Sequence, residues 1–294
     1  MSEPDDILGN KSILKRIIQP GEPDTRPERN SLATISYKLY FVDESTTRLI
    51  ETVDNESFFV GEYDVLTAID MSVQLMDRGE QAVIDSDPRH CYDEPGCEEK
   101  QIPPVTPDKP YRMKIELNLH DWKVPPEIST MSIDERIVWS DKKRQRGNFC
   151  YRRKQFSTAL HCYQTALKFV DTSEDETPSS SLTERYIQIQ NNLAQVYLSN
   201  GQHEQCLDAV NSVLKHDINN IKALFRQAKA LIDLGNYDHA IQPLKLLLQN
   251  PSQEIEKDKV REMLNQCETK LAKYRQTEKE VYKRMFQTKT EDKV

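Results

Sequence analysis

Two stretches in the second half of the chain repeat each other at a fixed offset. NNLAQVYLSNGQHEQCLDAVNSVL and FRQAKALIDLGNYDHAIQPLKLLL align Gly201 with Gly235, Ala194 with Ala228, Tyr197 with Leu231, Cys206 with Ala240 and Leu214 with Leu248, each pair 34 residues apart. A third copy, RGNFCYRRKQFSTALHCYQTAL, precedes them with Gly147, Phe156, Ala159 and Ala166, and a polar insert, DTSEDETPSSS (171–181), separates it from the second. This period is that of a helix–turn–helix unit, with small residues where helices cross and aromatics filling the gap beside them. One unit cannot bury its apolar face alone, so the units must stack and their ends must be capped. Residues 254–286 supply a long last helix, whose Val260, Met263, Leu264, Cys267 and Leu271 form an apolar stripe.

Upstream the period is two rather than helical. Ile35, Tyr37, Leu39 and Phe41 alternate with Ser36, Lys38 and Tyr40, and Tyr111, Met113, Ile115, Leu117 and Leu119 alternate with Arg112, Lys114, Glu116 and Asn118. Such alternation predicts strands with one buried face in an antiparallel sheet. Further strands are expected at 11–19 and 80–85, and Val65, Leu66, Ile69 and Val73 predict a short amphipathic helix over 62–72. Residues 86–110 read as a proline-containing loop. The fold class expected is therefore α+β: an antiparallel sheet with one short helix, followed by an all-α solenoid. The expected organisation is a tail (1–10), a sheet domain (11–121), a proline-containing linker (122–132), three repeats within 133–253 (136–170, 183–216 and 217–250), a capping helix (254–287) and a tail (288–294).

Charge supports this division. Residues 1–125 carry 14 basic and 25 acidic side chains, whereas 126–294 carry 26 and 23. An acidic chain repels nucleic acid and anionic lipid, so neither is an expected partner. The longest apolar runs, such as Leu246-Leu247-Leu248, fall far short of a membrane span. Only 8 glycines occur, and no dinucleotide- or phosphate-binding glycine string. The six cysteines (Cys91, Cys97, Cys150, Cys162, Cys206, Cys267) have no CxxC spacing and no apolar leader before them, which predicts reduced thiols. His90, Cys91 and Cys97 lack zinc spacing, and the acidic run 85–99 lacks calcium-loop spacing. No metal or cofactor is expected.

The first helices of stacked hairpins line a concave groove. On them stand Arg144 and Asn148, then Asn192, then Lys222 and Arg226; the i,i+4 pairs share a helix face. Converged cations and amides suit a terminal carboxylate with an acidic neighbour. The alternative is that Lys222 and Arg226 are solvated charges and the asparagines pack the repeats. The 34-residue period is that of tetratricopeptide (TPR) repeats, and the five residues resemble the carboxylate clamp of TPR co-chaperones. That family has Lys-x-x-x-Asn, Asn and Lys-x-x-x-Arg; the chain departs only at Arg144. The resemblance implies binding to the C-terminal Glu-Glu-Val-Asp tail of the ninety-kilodalton heat-shock chaperone.

LATISYKLYF, FFVGEYDVLTAIDMSVQLMDRGEQAVI, HCYDEPG and IPP at 102–104 resemble FKBP-type immunophilins over roughly residues 11–120. DILGN, LMDRGE, CYDEPG and KRMF are most similar to the non-standard, membrane-anchored subgroup with three TPRs. Family members hold a proline ring in an aromatic pocket. Mapped here, Tyr37, Val65, Leu66, Tyr92 and Ile102 match that pocket. Ile69 takes the tryptophan place, Leu49 the aromatic, Ile50 the aspartate, and Glu56 and Met113 two phenylalanines. Aliphatic walls remove the stacking faces, and Glu56 brings a charge that is costly to bury. Tyr37 and Tyr92 are either the remnant of a pocket or half-buried sheet aromatics.

These readings imply a co-chaperone adaptor whose degenerate FKBP-like domain contacts clients or partners. The alternative is a peptidyl-prolyl isomerase, weak or partner-activated; a third reading is a scaffold whose groove takes another partner. The subgroup also implies calmodulin as a partner, for which Lys273, Tyr274, Arg275, Tyr282, Lys283, Arg284 and Phe286 form a basic amphipathic end; a solvated helix tail is the alternative. A cytoplasmic location is expected, or the surface of mitochondria or endoplasmic reticulum where an anchor follows KTEDKV.

Overall fold

The structure is a computed structural model that describes residues 3–171, 179–251 and 256–291, with side chains described as far as Tyr282. Most of the polar insert (172–178) and the side chains of Lys283, Arg284 and Phe286 lie outside the described residues. The chain forms two compact units, Met1–Ser132 and Ile133–Val294.

The first unit is a six-stranded antiparallel sheet in the order β1-β2-β5-β6-β3-β4. The strands are β1 (Asp5–Asp6), β2 (Ile13–Gln19), β3 (Leu32–Val42), β4 (Thr47–Phe59), β5 (Gln81–Ser86) and β6 (Arg112–Lys123). One helix, α1 (Thr67–Val73), packs on it. Alternation in β3 and β6 buries Ile35, Leu39, Met113, Ile115 and Leu119 completely, against Ala68, Ile69 and Val73 of α1 on the core side. The helix starts later than the periodicity over 62–72 predicts. Gly61 and Tyr63 have positive φ (79° and 59°), so the chain cannot enter a right-handed helix there, and Val65 and Leu66 lie in the lead-in. A buried ion pair ties β2 to the α1–β5 turn: the Lys15 ammonium donates to Leu75 O (2.7 Å) and Glu80 Oε1 (3.0 Å). Within the 86–110 loop, Cys97 and Ile102 exchange backbone hydrogen bonds (2.9 and 2.8 Å) and close a tight turn over Glu98–Gln101.

Strand β4 is an addition to the strands that alternation predicts. Its register shifts twice against β3, between Ile35 and Tyr37 and between Leu39 and Tyr40. The first shift contains Asn55 in the left-handed region (φ 52°). Each bulge inserts one residue and reverses which side chains face the core. The apolar residues of β4 therefore keep no single period.

The second unit is a run of helices: α2 (Ile133–Arg152), α3 (Phe156–Val170), α4 (Ser180–Ser199), α5 (His203–His216), α6 (Ile221–Asp233), α7 (Tyr237–Gln249) and α8 (Lys257–Glu291). They form three hairpins and a last long helix, an arrangement consistent with a TPR solenoid. The same turn closes each hairpin. Gln155, Gln202 and Asn236 donate their backbone N–H to the carbonyls of Cys150, Tyr197 and Leu231 at 3.0, 2.8 and 2.8 Å. The residue before each is left-handed: Lys154 (φ 60°), Gly201 (φ 73°) and Gly235 (φ 77°). The first repeat thus makes with lysine a turn that the other two make with glycine. Gly147 does a different job inside α2. A Cβ there would lie 2.6 Å from the Tyr163 ring, so the glycine is what lets α3 approach. Leu224, Ala228, Ala240, Leu244 and Leu247 bury against Val260 and Cys267 of α8, which caps the last hairpin. Beyond this cap Tyr274 and Tyr282 are exposed.

Among the described residues no helix is long and apolar enough to cross a membrane. Among them, too, no group of three or more His, Cys, Asp or Glu side chains could hold a metal ion.

Candidate functional site

Each unit carries one candidate site. In the helical unit the candidate residues come from α2, α4 and α6. Asn148 Oδ1 accepts hydrogen bonds from the Tyr163 hydroxyl (2.6 Å) and from Asn192 Nδ2 (3.0 Å). The amides of the first and second repeats are therefore in direct contact, and Tyr163, only 1% exposed, fixes the first of them from below. Arg226 of the third repeat reaches back to α4. Its Nε donates to Gln195 Oε1 (3.0 Å) and its Nη1 to Asn191 Oδ1 (3.1 Å). Burial lowers the Arg226 pKa from its ordinary value, and the amide oxygens satisfy part of its donor set. Gln195 Nε2 donates in turn to Tyr151 Oη of α2 (3.1 Å), so the α2, α4 and α6 side chains form one hydrogen-bonded sheet of polar groups.

Lys222 is exposed, one turn before Arg226 on α6. Both line a pocket of about 260 Å³ together with Phe225 and residues of α7 and α8. Arg144 is placed differently. Its Nε pairs with Asp141 Oδ1 at 3.1 Å, and the other carboxylate oxygen takes Arg185 at 3.2 Å. Of the five residues singled out in the sequence, Asn148 and Asn192 meet directly, Lys222 and Arg226 share a pocket, and Arg144 is held by a local carboxylate. Asn191, Gln195 and Tyr163 support the site without having been picked out. Their signal was available in part: Asn191 adjoins Asn192, and Gln195 stands four residues after it on the same helix face.

The sheet unit holds the second site, between α1 and the inner face of the sheet. Ile69 and Met113 are fully buried, Tyr92 and Ile102 are 2% exposed, and Val65 and Leu66 are buried at the start of α1. The carboxylate that meets the tyrosines is Glu51. Its Oε1 accepts from Tyr37 Oη (3.2 Å) and Tyr92 Oη (3.4 Å), while Lys100 Nζ pairs with Oε2. Burial, followed by the Glu51 charge, raises the Tyr92 hydroxyl pKa well above its usual value. Ile50, assigned to the acidic place from sequence, lies at the second bulge of β4, half-buried. Leu49 pairs with Tyr40 and is half exposed. Glu56 pairs with Ile35 and is half-buried.

Strand β4 also grips the 98–101 turn. The Arg48 guanidinium, 5.6 Å from the Phe41 ring centroid, donates to Gln101 O at 2.8 Å and to Lys100 O at 3.4 Å. Tyr111 stacks on Phe41 (4.7 Å between centroids), and its hydroxyl donates to Pro103 O at 2.8 Å. Arg48 and Glu51 thus hold the backbone and side chain of Lys100 beside the two tyrosines.

Comparison with known proteins fits this two-part geometry. A family profile described as FKBP-type peptidyl-prolyl cis-trans isomerase matches residues 24–118, the sheet unit. A profile described as anaphase-promoting complex, cyclosome, subunit 3 matches residues 152–247, from the end of α2 to α7. Among curated proteins, the peptidyl-prolyl cis-trans isomerase FKBP4 of Bos taurus is 24% identical over 286 residues, covering 95% of this chain and 59% of its own length. FKBP42 of Arabidopsis thaliana is 24% identical over 297 residues, covering 97% of this chain and 79% of its own. The chain therefore spans about three fifths of the FKBP4 relatives it matches. Among solved structures, a multi-domain immunophilin from Arabidopsis thaliana aligns over 84% of this chain and 97% of its own, with 19% identity and a TM-score of 0.39. The chain joins an FKBP-type domain to a TPR-like helical region and is homologous to immunophilins of the FKBP4 and FKBP42 type.

Proposed function

We propose that the chain is a co-chaperone adaptor whose helical groove binds the C-terminal Glu-Glu-Val-Asp tail of the ninety-kilodalton heat-shock chaperone. The observation that carries this reading is the Asn148–Asn192 contact, together with Arg226 anchored on α4 and Lys222 exposed one turn before it. Two amides with open N–H groups and two cations on neighbouring helices suit a main-chain carboxylate and an acidic side chain. Arg144 is engaged by Asp141, so Lys222 and Arg226 carry most of the charge recognition. The FKBP-type unit contacts clients or partners, with a proline pocket degenerate in its walls. The strings DILGN, LMDRGE, CYDEPG and KRMF favour the anchored subgroup and, with it, a surface of mitochondria or endoplasmic reticulum.

The test is calorimetric titration of the full chain with Met-Glu-Glu-Val-Asp as the free acid and as its amidated twin. The free acid is expected to bind at micromolar strength, with binding lost on amidation and weakened by roughly tenfold or more in Lys222→Ala. Equal binding of both peptides would point to a scaffold with another partner. A second reading, a weak prolyl isomerase, is favoured by one observation: Tyr37, Tyr92 and Glu51 form a polar cluster in the unit that holds buried Ile69, Ile102 and Met113.

A further inference from the structure

The α6–α8 pocket contains a cation that the groove's first helices do not supply. Its floor is apolar: Leu247 and Val260 are each 1% exposed, and Ile221 and Phe225 are half-buried beside them. Its rim carries Lys222 and Arg226 from α6, and Lys259 from α8. The Lys259 ammonium lies 5.9 Å from the Phe225 ring centroid. Its ionic partner is Glu256 Oε2 at 3.5 Å, and both side chains are more than half exposed (58% and 77%). A solvated pair of this kind holds weakly and exchanges readily for a better-placed carboxylate. Arg226, by contrast, is fixed by Gln195 and Asn191, so the rim combines one immobile cation with two mobile ones.

We propose that Lys259 is a further recognition residue of the groove. The pocket takes an apolar side chain from an acidic peptide, and Lys259 leaves Glu256 to pair with a side-chain carboxylate of that peptide other than its terminal one. The partner chemistry follows from complementarity: an apolar floor of about 260 Å³ admits one aliphatic side chain, and three cations around it select carboxylates on either flank. A neutral or basic peptide would leave the rim charges uncompensated. The inference rests on the acidic-tail reading of the groove and extends it to a residue of the capping helix.

Calorimetry on the full chain separates the two. Met-Glu-Glu-Val-Asp is compared with Met-Gln-Gln-Val-Asp, both as free acids, on wild type, Lys259→Ala, Glu256→Gln and Lys222→Ala. Lys259→Ala is expected to weaken the glutamate peptide about two- to fivefold and leave the glutamine peptide unchanged. Glu256→Gln removes the competitor and is expected to tighten the glutamate peptide by about twofold. Lys259→Ala binding both peptides as wild type does, while Lys222→Ala loses both, would overturn the role of Lys259 and leave the clamp standing. Failure of wild type to bind either peptide would overturn both. Lys259 is exposed, so its removal leaves the fold intact, and an unchanged far-ultraviolet circular dichroism spectrum checks this.

Discussion

At the scale of single residues, the sheet unit turns on one carboxylate. Glu51 is a fifth exposed and Lys100 a third, so their pair is worth about 1 kcal/mol rather than the larger figure of a dry ion pair. Its mechanical effect is greater than its energy. Lys100 is held by its side chain through Glu51 and by its carbonyl through Arg48, which keeps the 98–101 turn against the tyrosines. Replacing Lys100 with alanine is expected to lower stability by about 1 kcal/mol and to raise prolyl isomerisation above the wild-type rate in a protease-coupled assay at high enzyme concentration. A rate equal to or below wild type would show that the turn does not restrain the site around the tyrosines. The burial of Ile69, Ile102, Val65 and Leu66 was legible in the sequence because apolar residues recur around α1 and the IPP string. Glu51 was not. It stands next to the bulge at Ile50, which breaks the alternation of β4, so no local pattern singles it out.

At the scale of elements, the same contrast separates β3 and β6 from β4. Continuous alternation gave the first two away, while two bulges hid the third. The helical hairpins were legible for the opposite reason: their turn is repeated at a constant interval. Even so, the first hairpin's turn differs in chemistry. Lys154 adopts φ 60°, where Gly201 and Gly235 stand in the other two. A side chain with a Cβ costs about 1 kcal/mol in that region relative to glycine. Lys154→Gly is therefore expected to stabilise the helical unit by a few tenths of a kcal/mol to about 1 kcal/mol, part of the gain being offset by the greater freedom of glycine in the unfolded chain. Urea unfolding followed by circular dichroism at 222 nm measures it. The matched substitution Gly201→Lys should destabilise by a similar amount. A destabilising Lys154→Gly would mean that the lysine side chain contributes a contact outweighing its backbone strain.

At the scale of the whole molecule, the helical unit carries its polar network and its core within itself. The bonds joining Tyr163, Asn148 and Asn192, and those joining Tyr151, Gln195 and Arg226, run between residues of Ile133–Val294. The buried residues packed around Tyr163 and around Leu244 all belong to that unit as well. The charge is divided in the same way, with an excess of acid before residue 126 and a slight excess of base after it. A fragment of residues 133–294 should therefore fold alone and bind the free-acid peptide as tightly as the full chain at physiological salt. The expected difference lies at low salt. There the Debye length is about 30 Å at 0.01 M, so the net negative charge of the chain is least screened, and removing the acidic residues before 133 lowers the repulsion an acidic peptide meets. Their removal should raise the association rate at 0.01 M salt and leave the rate nearly unchanged at 0.15 M, where the length is about 8 Å. Stopped-flow mixing with a fluorescent peptide reads both conditions. A fragment that binds more weakly than the full chain at every salt concentration would mean that residues before 133 supply part of the recognition surface.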